Sequence, residues 1–210
     1  MMIFRDREDA ARRLSESLAQ YRGQHPLVLA IPRGAVPMAR IIADALDGDV
    51  DVVLVRKLRA PGNPEFAIGA VDETGWIYLG DQAGHIAGSQ KYIDAEMAVQ
   101  LEVMRERRAS YTPVRAPLDP SGRVVIVVDD GLATGSTMIA ALHALRAKHP
   151  LKLICAVPVA PPDTLAKVES YADEVLCLSA PEEFYAVGQF YQSFPQVSDE
   201  EVIRLLGTVT

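Results

Sequence analysis

The 210-residue sequence contains only two cysteines, and neither belongs to a CxxC pair or to a Cys/His cluster with the spacing of a zinc site. Cys155 and Cys177 stand in apolar runs typical of strands, so we expect buried, reduced thiols. The cysteine pattern therefore excludes a disulfide framework and a structural zinc module.

Long hydrophobic runs and excess positive charge are also missing. No apolar run approaches the roughly 20 residues that span a bilayer, and residues 1–4 lead directly into Arg5 without a signal-peptide core. The formal net charge of -7 disfavours sequence-independent binding of nucleic acid, which needs a broad positive field. We expect a cytoplasmic protein without a membrane partner, in which the charge disfavours nucleic acid as a partner but does not exclude a local basic patch.

The remaining composition is that of an ordinary globular protein, with 49% hydrophobic and 23% charged residues. Short apolar runs alternate with helical patterns, which predicts an α/β fold with a mostly parallel sheet flanked by helices, in a single domain over residues 1–210. Strands are predicted at 27–31, 52–55, 124–128, 151–159 and 174–178; helices are predicted after Asp6, at 36–46 and 90–108, from Gly135, at 163–171, and after a capping box at Ser198.

Two segments depart from this alternation. Residues 59–88 are predicted to leave the sheet as a flexible loop with a hairpin of two short strands at 67–71 and 76–79. Residues 180–210 are predicted to form a small C-terminal hood.

The stretch from Asp129 to Thr137 carries the clearest chemistry. A fully apolar strand delivers Asp129 and Asp130 to its carboxyl end, and Ala133-Thr134-Gly135-Ser136-Thr137 then leads into a helix. Ligands of open α/β sheets bind at the carboxyl ends of strands, and a helix N-terminus favours phosphate. Since carboxylates repel phosphate, the two acids must face another part of the ligand, and two acceptors suit the vicinal hydroxyls of a ribose 5-phosphate.

Other phosphate-binding motifs do not fit this stretch. A Walker loop needs Gly-Lys-Ser/Thr, and a dinucleotide-binding fold places its acid about 20 residues after its glycines. Here the acids come first. The segment instead resembles the binding signature of the type I phosphoribosyltransferases for 5-phosphoribosyl-1-pyrophosphate (PRPP). The resemblance implies that Asp129 and Asp130 hold the ribose hydroxyls and that Ala133 to Thr137 hold the 5-phosphate.

Two further segments are similar to parts of the same family. Residues 30–37, with Arg33 and Gly34, resemble its pyrophosphate loop, and Lys57 in the pair Arg56-Lys57 resembles a basic residue beside pyrophosphate; the alternative for Lys57 is a solvated strand end. The resemblance also implies that the 59–88 excursion closes over the site, that Mg²⁺ is bound mainly through PRPP or pyrophosphate, and that the protein is a homodimer.

The resemblance to this family is incomplete at the residues that would bind the acceptor. Residues 181–191 are similar to the base-binding segment of hypoxanthine-guanine phosphoribosyltransferases, which makes Phe184 and Tyr185 candidate base contacts, although Phe184 could equally be a core aromatic. That subfamily carries an acid in its phosphate loop where this chain has Ala133, and a later aspartate where this chain has Gln189 and Phe190. Guanine and hypoxanthine are therefore in doubt, and the acceptor stays unidentified.

The sequence thus predicts a phosphoribosyltransferase that uses Asp129, Asp130 and Lys57 in catalysis. An alternative on the same fold is a regulator that senses PRPP or a nucleotide and binds nucleic acid or a protein, for which the arginines at 105, 107 and 108 are suitable. These arginines could also be a solvated helix end. A third possibility is a hydrolase or phosphorylase of a phosphoribosyl compound.

Overall fold

The computed structural model describes residues 2–80, 83, 86 and 88–207, without the side chains of residues 64 and 65. Helices and strands alternate along this part of the chain. The helices are α1 (Arg7–Ser17), α2 (Val36–Leu46), α3 (Gln90–Tyr111), α4 (Ser136–Arg146), α5 (Pro162–Val168) and α6 (Asp199–Gly207). The strands are β1 (Leu27–Ala30), β2 (Asp49–Val52), β3 (Val55–Ala60), β4 (Asn63–Asp72), β5 (Ile77–Leu79), β6 (Val124–Val128), β7 (Lys152–Val159) and β8 (Glu174–Ser179).

A five-stranded parallel sheet in the order β2-β1-β6-β7-β8 forms the centre of the fold. Two of its inner strands, β1 and β6, are apolar at every position because both of their faces are covered. Val28 and Ile126 belong to one hydrophobic core, and their neighbours Leu29 and Val127 belong to the core on the other face. The predicted α/β class with a mostly parallel sheet is confirmed.

The strand order reverses between β1 and β6. From β1 the chain passes through α2 to β2 on one side, and from β6 it passes through α4 to β7 on the other. Because the loops after β1 and β6 diverge in opposite directions, a crevice opens at the carboxyl ends of these two strands. Both segments that the sequence singled out, after Ala30 and after Val128, begin at this crevice.

A second, antiparallel sheet in the order β3-β4-β5 corrects the prediction for residues 52–60. The sequence predicts one strand over 52–55, but β2 ends at Val52 and β3 begins at Val55. The sequence pattern does not predict β3 because residues 56, 57 and 59 are polar. In the structure Val55, Leu58 and Ala60 of this strand are buried. The predicted hairpin strands at 67–71 and 76–79 lie within β4 and at β5, whereas residues 81, 82, 84, 85 and 87 of the predicted loop lie outside the described residues.

The predicted helix starts are stabilised by side-chain caps. Asp6 Oδ1 accepts a hydrogen bond from the Asp9 backbone N–H at 2.8 Å, before α1. Ser198 Oγ accepts one from the Glu201 backbone N–H at 3.2 Å, at the start of α6. Each cap satisfies one of the free donors of a helix N-terminus.

The cysteines are free thiols on neighbouring strands. Cys155 is fully buried on β7, as predicted, but Cys177 is only partly buried. The difference arises because β8 is an edge strand of the parallel sheet.

None of the helices in the described part of the chain is long and apolar enough to cross a membrane.

Trp76 joins the small sheet to α4. Its ring stacks on the imidazole of His143, with centroids 3.6 Å apart and planes inclined by 9°. The turn before Trp76 is held by Asp72, which is fully buried and whose Oδ1 accepts hydrogen bonds from the backbone N–H groups of Thr74 and Trp76 at 2.8 and 3.1 Å. The antiparallel sheet is thus fixed against the helix that follows the Asp129–Thr137 segment.

Trp76 is the single tryptophan of the chain, so its fluorescence reports this contact. We expect His143→Ala to shift the emission to longer wavelength, to increase quenching by acrylamide, and to lower the free energy of unfolding by about 1 kcal/mol. Lys148→Ala, at an exposed position just after α4, is the control and should change none of these. An unchanged emission spectrum in His143→Ala would show that the ring stacking is absent in solution.

Candidate functional site

A cavity of about 500 Å³ occupies the crevice between the ends of β1 and β6. Its wall includes many of the residues that the sequence indicated: Arg33, Gly34, Lys57, Asp129, Asp130, Ala133, Thr134, Gly135 and Thr137. Ser136 is not among the residues that line this cavity, and it is buried. The structure therefore brings three segments that are distant in sequence to one place.

The loop between β6 and α4 presents a helix N-terminus to the cavity. Gly135 precedes the first residue of α4 with φ of 76°, a left-handed conformation that glycine adopts without steric cost. Thr134 Oγ1 and Ser136 Oγ are 3.1 Å apart, which fixes the hydroxyls within the turn. Backbone N–H groups at such a helix start favour an anion.

Thr164 on α5 supports this loop from behind. Its Oγ1 donates a hydrogen bond to the Ala133 carbonyl oxygen at 2.7 Å, and Thr164 itself is buried. A Cβ at Gly135 would lie 2.9 Å from Thr164 Cγ2, so the close packing of α5 also requires glycine there. Sequence reasoning missed Thr164, since a threonine in a helix carries no signal of a distant partner.

The two acids lie side by side at the end of β6. The backbone N–H of Asp130 donates to Asp129 Oδ1 at 2.9 Å. Burial raises the pKa of the Asp129 carboxyl well above its usual range, and the neighbouring charge of Asp130 raises it further, against the opposing effect of Lys57. The cavity thus holds a carboxylate pair in an environment that penalises negative charge.

Asp130 is paired with Arg7, a residue that sequence reasoning did not single out. Arg7 Nε and Nη2 donate to Asp130 Oδ2 at 2.9 and 2.8 Å. Burial raises the pKa of Asp130, and the charge and hydrogen bonds of Arg7 oppose that shift. A Cβ on Gly34 would lie 2.2 Å from Asp130 Oδ2, so the loop after β1 approaches this pair as closely as only glycine allows.

A cationic wall faces the acids and is formed by Arg33, Arg56, Lys57 and Arg59. Arg56 Nε donates to Gln100 Oε1 at 3.0 Å, and Arg59 Nε donates to Glu96 Oε1 at 2.7 Å, so α3 anchors two of the four side chains. Burial lowers the pKa of Arg56, and the nearby arginines lower it further. Such a wall suits a ligand that carries several negative charges.

Arg33 is held by the C-terminal helix. Its Nη1 donates to Asp199 Oδ2 at 3.1 Å, and the Tyr111 hydroxyl donates to Asp199 Oδ1 at 2.8 Å. The peptide bond between Pro32 and Arg33 is cis. Asp199 thereby connects the start of α6 to the loop after β1.

The candidate base contacts lie elsewhere. Phe184 does not line the cavity; its ring is 5.1 Å from that of Phe190, and Tyr185 is 87% exposed. From the C-terminal segment it is Val187 and Phe194 that reach the cavity wall. Base binding by Phe184 and Tyr185 stays a prediction.

Comparison with known proteins identifies the family. Residues 3–193 match the family described as phosphoribosyl transferase domain. Because the match covers most of the chain, the chain belongs to this family, as the resemblance of its loops indicated. The family match, together with the α/β architecture, confirms a phosphoribosyltransferase fold. TT1426 from Thermus thermophilus, a solved structure, is similar to this chain, with 45% identity and a TM-score of 0.81 over 98% of both chains.

A Mycobacterium tuberculosis protein named "Putative phosphoribosyl transferase Rv0571c" is 42% identical over 209 residues. The alignment covers 98% of this chain but 47% of that protein, so the chain spans about half the length of this relative. A hypoxanthine-guanine phosphoribosyl transferase from L. donovani is 15% identical, over 87% of this chain and 86% of its own, with a TM-score of 0.46. That likeness is too distant to bear on the acceptor.

The support that Thr164 gives to the loop can be tested by isosteric replacement. Thr164→Val keeps the shape but leaves the Ala133 carbonyl without its donor, and we expect PRPP to bind about fivefold more weakly, a change of about 1 kcal/mol. Thr164→Ser retains the donor and should bind PRPP nearly as well as the wild type. Calorimetric titration with PRPP and Mg²⁺ measures both; equal affinities for the valine and serine variants would contradict a role for the hydrogen bond.

Proposed function

We propose that this member of the phosphoribosyl transferase family transfers the 5-phosphoribosyl group of PRPP to a nitrogenous base or another amine and releases pyrophosphate. One observation supports this most directly: a carboxylate pair and a cationic wall face each other across one cavity, with a helix N-terminus beside the acids. PRPP has three parts that match these features: a ribose diol, a pyrophosphate and a 5-phosphate.

The proposed placement of PRPP follows from charge. The 5-phosphate is bound by residues 133–137, where backbone N–H groups start α4. The ribose hydroxyls donate to Asp129 and Asp130, and pyrophosphate lies against Arg33, Gly34 and Lys57. Arg56 and Arg59, which line the same wall, extend the cationic surface beyond the residues that the sequence indicated.

In the proposed reaction the bond from C1 of the ribose to the pyrophosphate oxygen breaks, and a bond from C1 to the acceptor nitrogen forms with inversion. Positive charge develops on the sugar and negative charge on pyrophosphate. Asp129 and Asp130 stabilise the positive charge on the sugar, and Arg33 and Lys57 stabilise the negative charge on pyrophosphate. The acceptor nitrogen releases one proton when it forms a neutral product. Catalysis is then chiefly positioning and electrostatics.

Mg²⁺ belongs to the substrate in this proposal, as the complex of PRPP. In the part of the chain that the structure describes, no group of three or more His, Cys, Asp or Glu side chains could hold a metal ion. The proposal assigns the ion to phosphate and ribose oxygens and to water, in keeping with the preference of Mg²⁺ for few protein ligands. The carboxylates of Asp129 and Asp130 are among the polar groups of this cavity that would face its water shell.

The acceptor is left as a nitrogen nucleophile. Ala133 offers no carboxylate to receive the acceptor proton, and its carbonyl oxygen already accepts the Thr164 hydroxyl. Guanine or hypoxanthine is therefore not assigned.

The regulatory alternative depended on the arginines near the end of α3. In the structure Arg107 Nε is 3.7 Å from Asp199, and Arg108 donates to both carboxylate oxygens of Glu73, at 2.9 and 2.6 Å. Arg105 pairs with Glu102 on the same helix. Because these side chains already have acidic partners, they support a phosphate-binding patch for nucleic acid less well than the sequence suggested.

The homodimer stays a prediction.

Pyrophosphate release from PRPP and Mg²⁺ with a panel of purine, pyrimidine and amine acceptors tests the proposed transfer. We expect release with at least one acceptor and a matching ribosyl 5-phosphate product. Release with water or inorganic phosphate as the nucleophile would identify a hydrolase or phosphorylase instead. Binding of PRPP without release in any mixture would favour the sensor.

The carboxylate pair can be tested by neutral replacement. We expect Asp129→Asn with Asp130→Asn to weaken PRPP binding at least tenfold, because the acceptors for the ribose hydroxyls lose their charge. Asp119→Asn, in an exposed turn, should bind PRPP normally. Unchanged PRPP affinity in calorimetry would remove the acids from the site.

Asp129→Asn alone should raise the melting temperature at pH 7. The folded-state pKa of Asp129 lies above its unfolded value, so its contribution to stability is present at low pH and is lost as pH rises through the folded pKa. Asparagine does not ionise, so the Asp129→Asn variant avoids this loss of stability. The difference in melting temperature between the variant and the wild type should therefore shrink as pH is lowered. A variant that melts below the wild type at pH 7 would contradict the direction of the shift.

A further inference from the structure

Arg7 connects the first helix to the carboxylate pair and to the C-terminal segment. Its guanidinium is only 11% exposed and directs two N–H groups to Asp130 Oδ2. Its Nη1 donates to the Pro195 carbonyl oxygen at 2.6 Å, and its Cζ lies 3.8 Å from the centre of the Phe194 ring. One side chain thus joins three segments, because Asp130 lies 123 positions and Pro195 lies 188 positions from Arg7.

The position of Arg7 is unfavourable for α1 itself. It is the first residue of the helix, where the helix dipole disfavours a positive charge. Arg12 on the same helix has the ordinary arrangement: its side chain is 66% exposed and pairs with Glu8 one turn away. The buried contacts of Arg7 therefore identify a role outside the helix.

The carboxylate that Arg7 contacts lies where burial disfavours its charge and Arg7 favours it. Burial raises the pKa of Asp130, while Arg7 and Lys57 lower it; Asp129 is its acidic neighbour, and the Tyr191 hydroxyl donates to the Asp130 carbonyl oxygen at 2.7 Å. Of these groups Arg7 is the one that hydrogen-bonds to the carboxylate, and it does so through Oδ2. Arg7 therefore leaves Oδ1 to other partners.

We propose that Arg7 is a positioning residue for PRPP: it holds Asp130 oriented and ionised beside Asp129, and it ties that carboxylate to Pro195 and to Phe194, which lines the cavity. This inference rests on the proposed function, because ionised Asp130 is the acceptor assigned to a ribose hydroxyl. Removal of Arg7 lets Asp130 take up a proton at higher pH, so the ribose loses a charged acceptor under conditions where the wild type still has it.

The first experiment needs no ligand. Carboxyl ¹³C shifts of protein labelled at aspartate, with Asp130→Asn for assignment, follow the titration of Asp130 in the wild type, Arg7→Gln, Arg7→Lys and the matched control Arg12→Gln. We expect Arg7→Gln to move the Asp130 titration to higher pH, Arg7→Lys to move it less, and Arg12→Gln to leave it in place. A titration unmoved in a folded Arg7→Gln protein overturns the inference whatever the enzyme does.

The second experiment measures the affinity for PRPP and Mg²⁺ by calorimetry at several pH values. We expect Arg7→Gln to bind roughly tenfold more weakly near pH 6, with a loss that shrinks as pH rises, whereas Arg12→Gln binds like the wild type. If Arg7→Gln loses the same factor of PRPP affinity at every pH, the contact of Arg7 is purely structural, which contradicts its electrostatic role. Wild-type protein that binds PRPP but transfers nothing contradicts the proposed reaction and leaves Arg7 as a determinant of binding.

Discussion

The parallel register between β1 and β6 is the constraint on which the site depends. Ala30 lies opposite Val128, and the Ile31 backbone N–H donates to the Val128 carbonyl oxygen at 3.0 Å. Both strands therefore end at the same height, and their loops begin side by side. A shift of this register would separate Gly34 from Asp130, whose carboxylate lies where the Cβ of any other residue would stand.

The site separates charge at the expense of stability. Burial disfavours the ionised forms of Asp129 and Asp130, and it lowers the pKa of Arg56 on the facing wall. Compensating charges are therefore supplied from outside the cavity loops, by Arg7 to Asp130 and by Asp199 to Arg33. Because hydrogen bonds hold these compensating groups in place, the polarised cavity is preorganised, as the proposed binding of PRPP requires.

The two ends of the described chain contact residues of the cavity wall, since Arg7 pairs with Asp130 and Asp199 pairs with Arg33. α1 contributes Arg7, and α6 contributes Asp199. The segment before α6 adds Phe194, whose ring lies under the Arg7 guanidinium. The sheet thus positions the binding loops, whereas the terminal segments set the charge and orientation of the side chains between them.

The sequence by itself determined the parallel sheet, the helix caps at Asp6 and Ser198, and the loop from Asp129 to Thr137, because each is encoded by residues that are neighbours in the chain or recur at a fixed period. Only the tertiary structure decided the contacts of Arg7 and Thr164. Arg7 meets Asp130 across 123 positions and Thr164 meets Ala133 across 31, and no local pattern records such pairs. Packing likewise decided where the short strands begin and end. It also decided which C-terminal side chains line the cavity, because an apolar or aromatic side chain suits a core and a binding wall equally well.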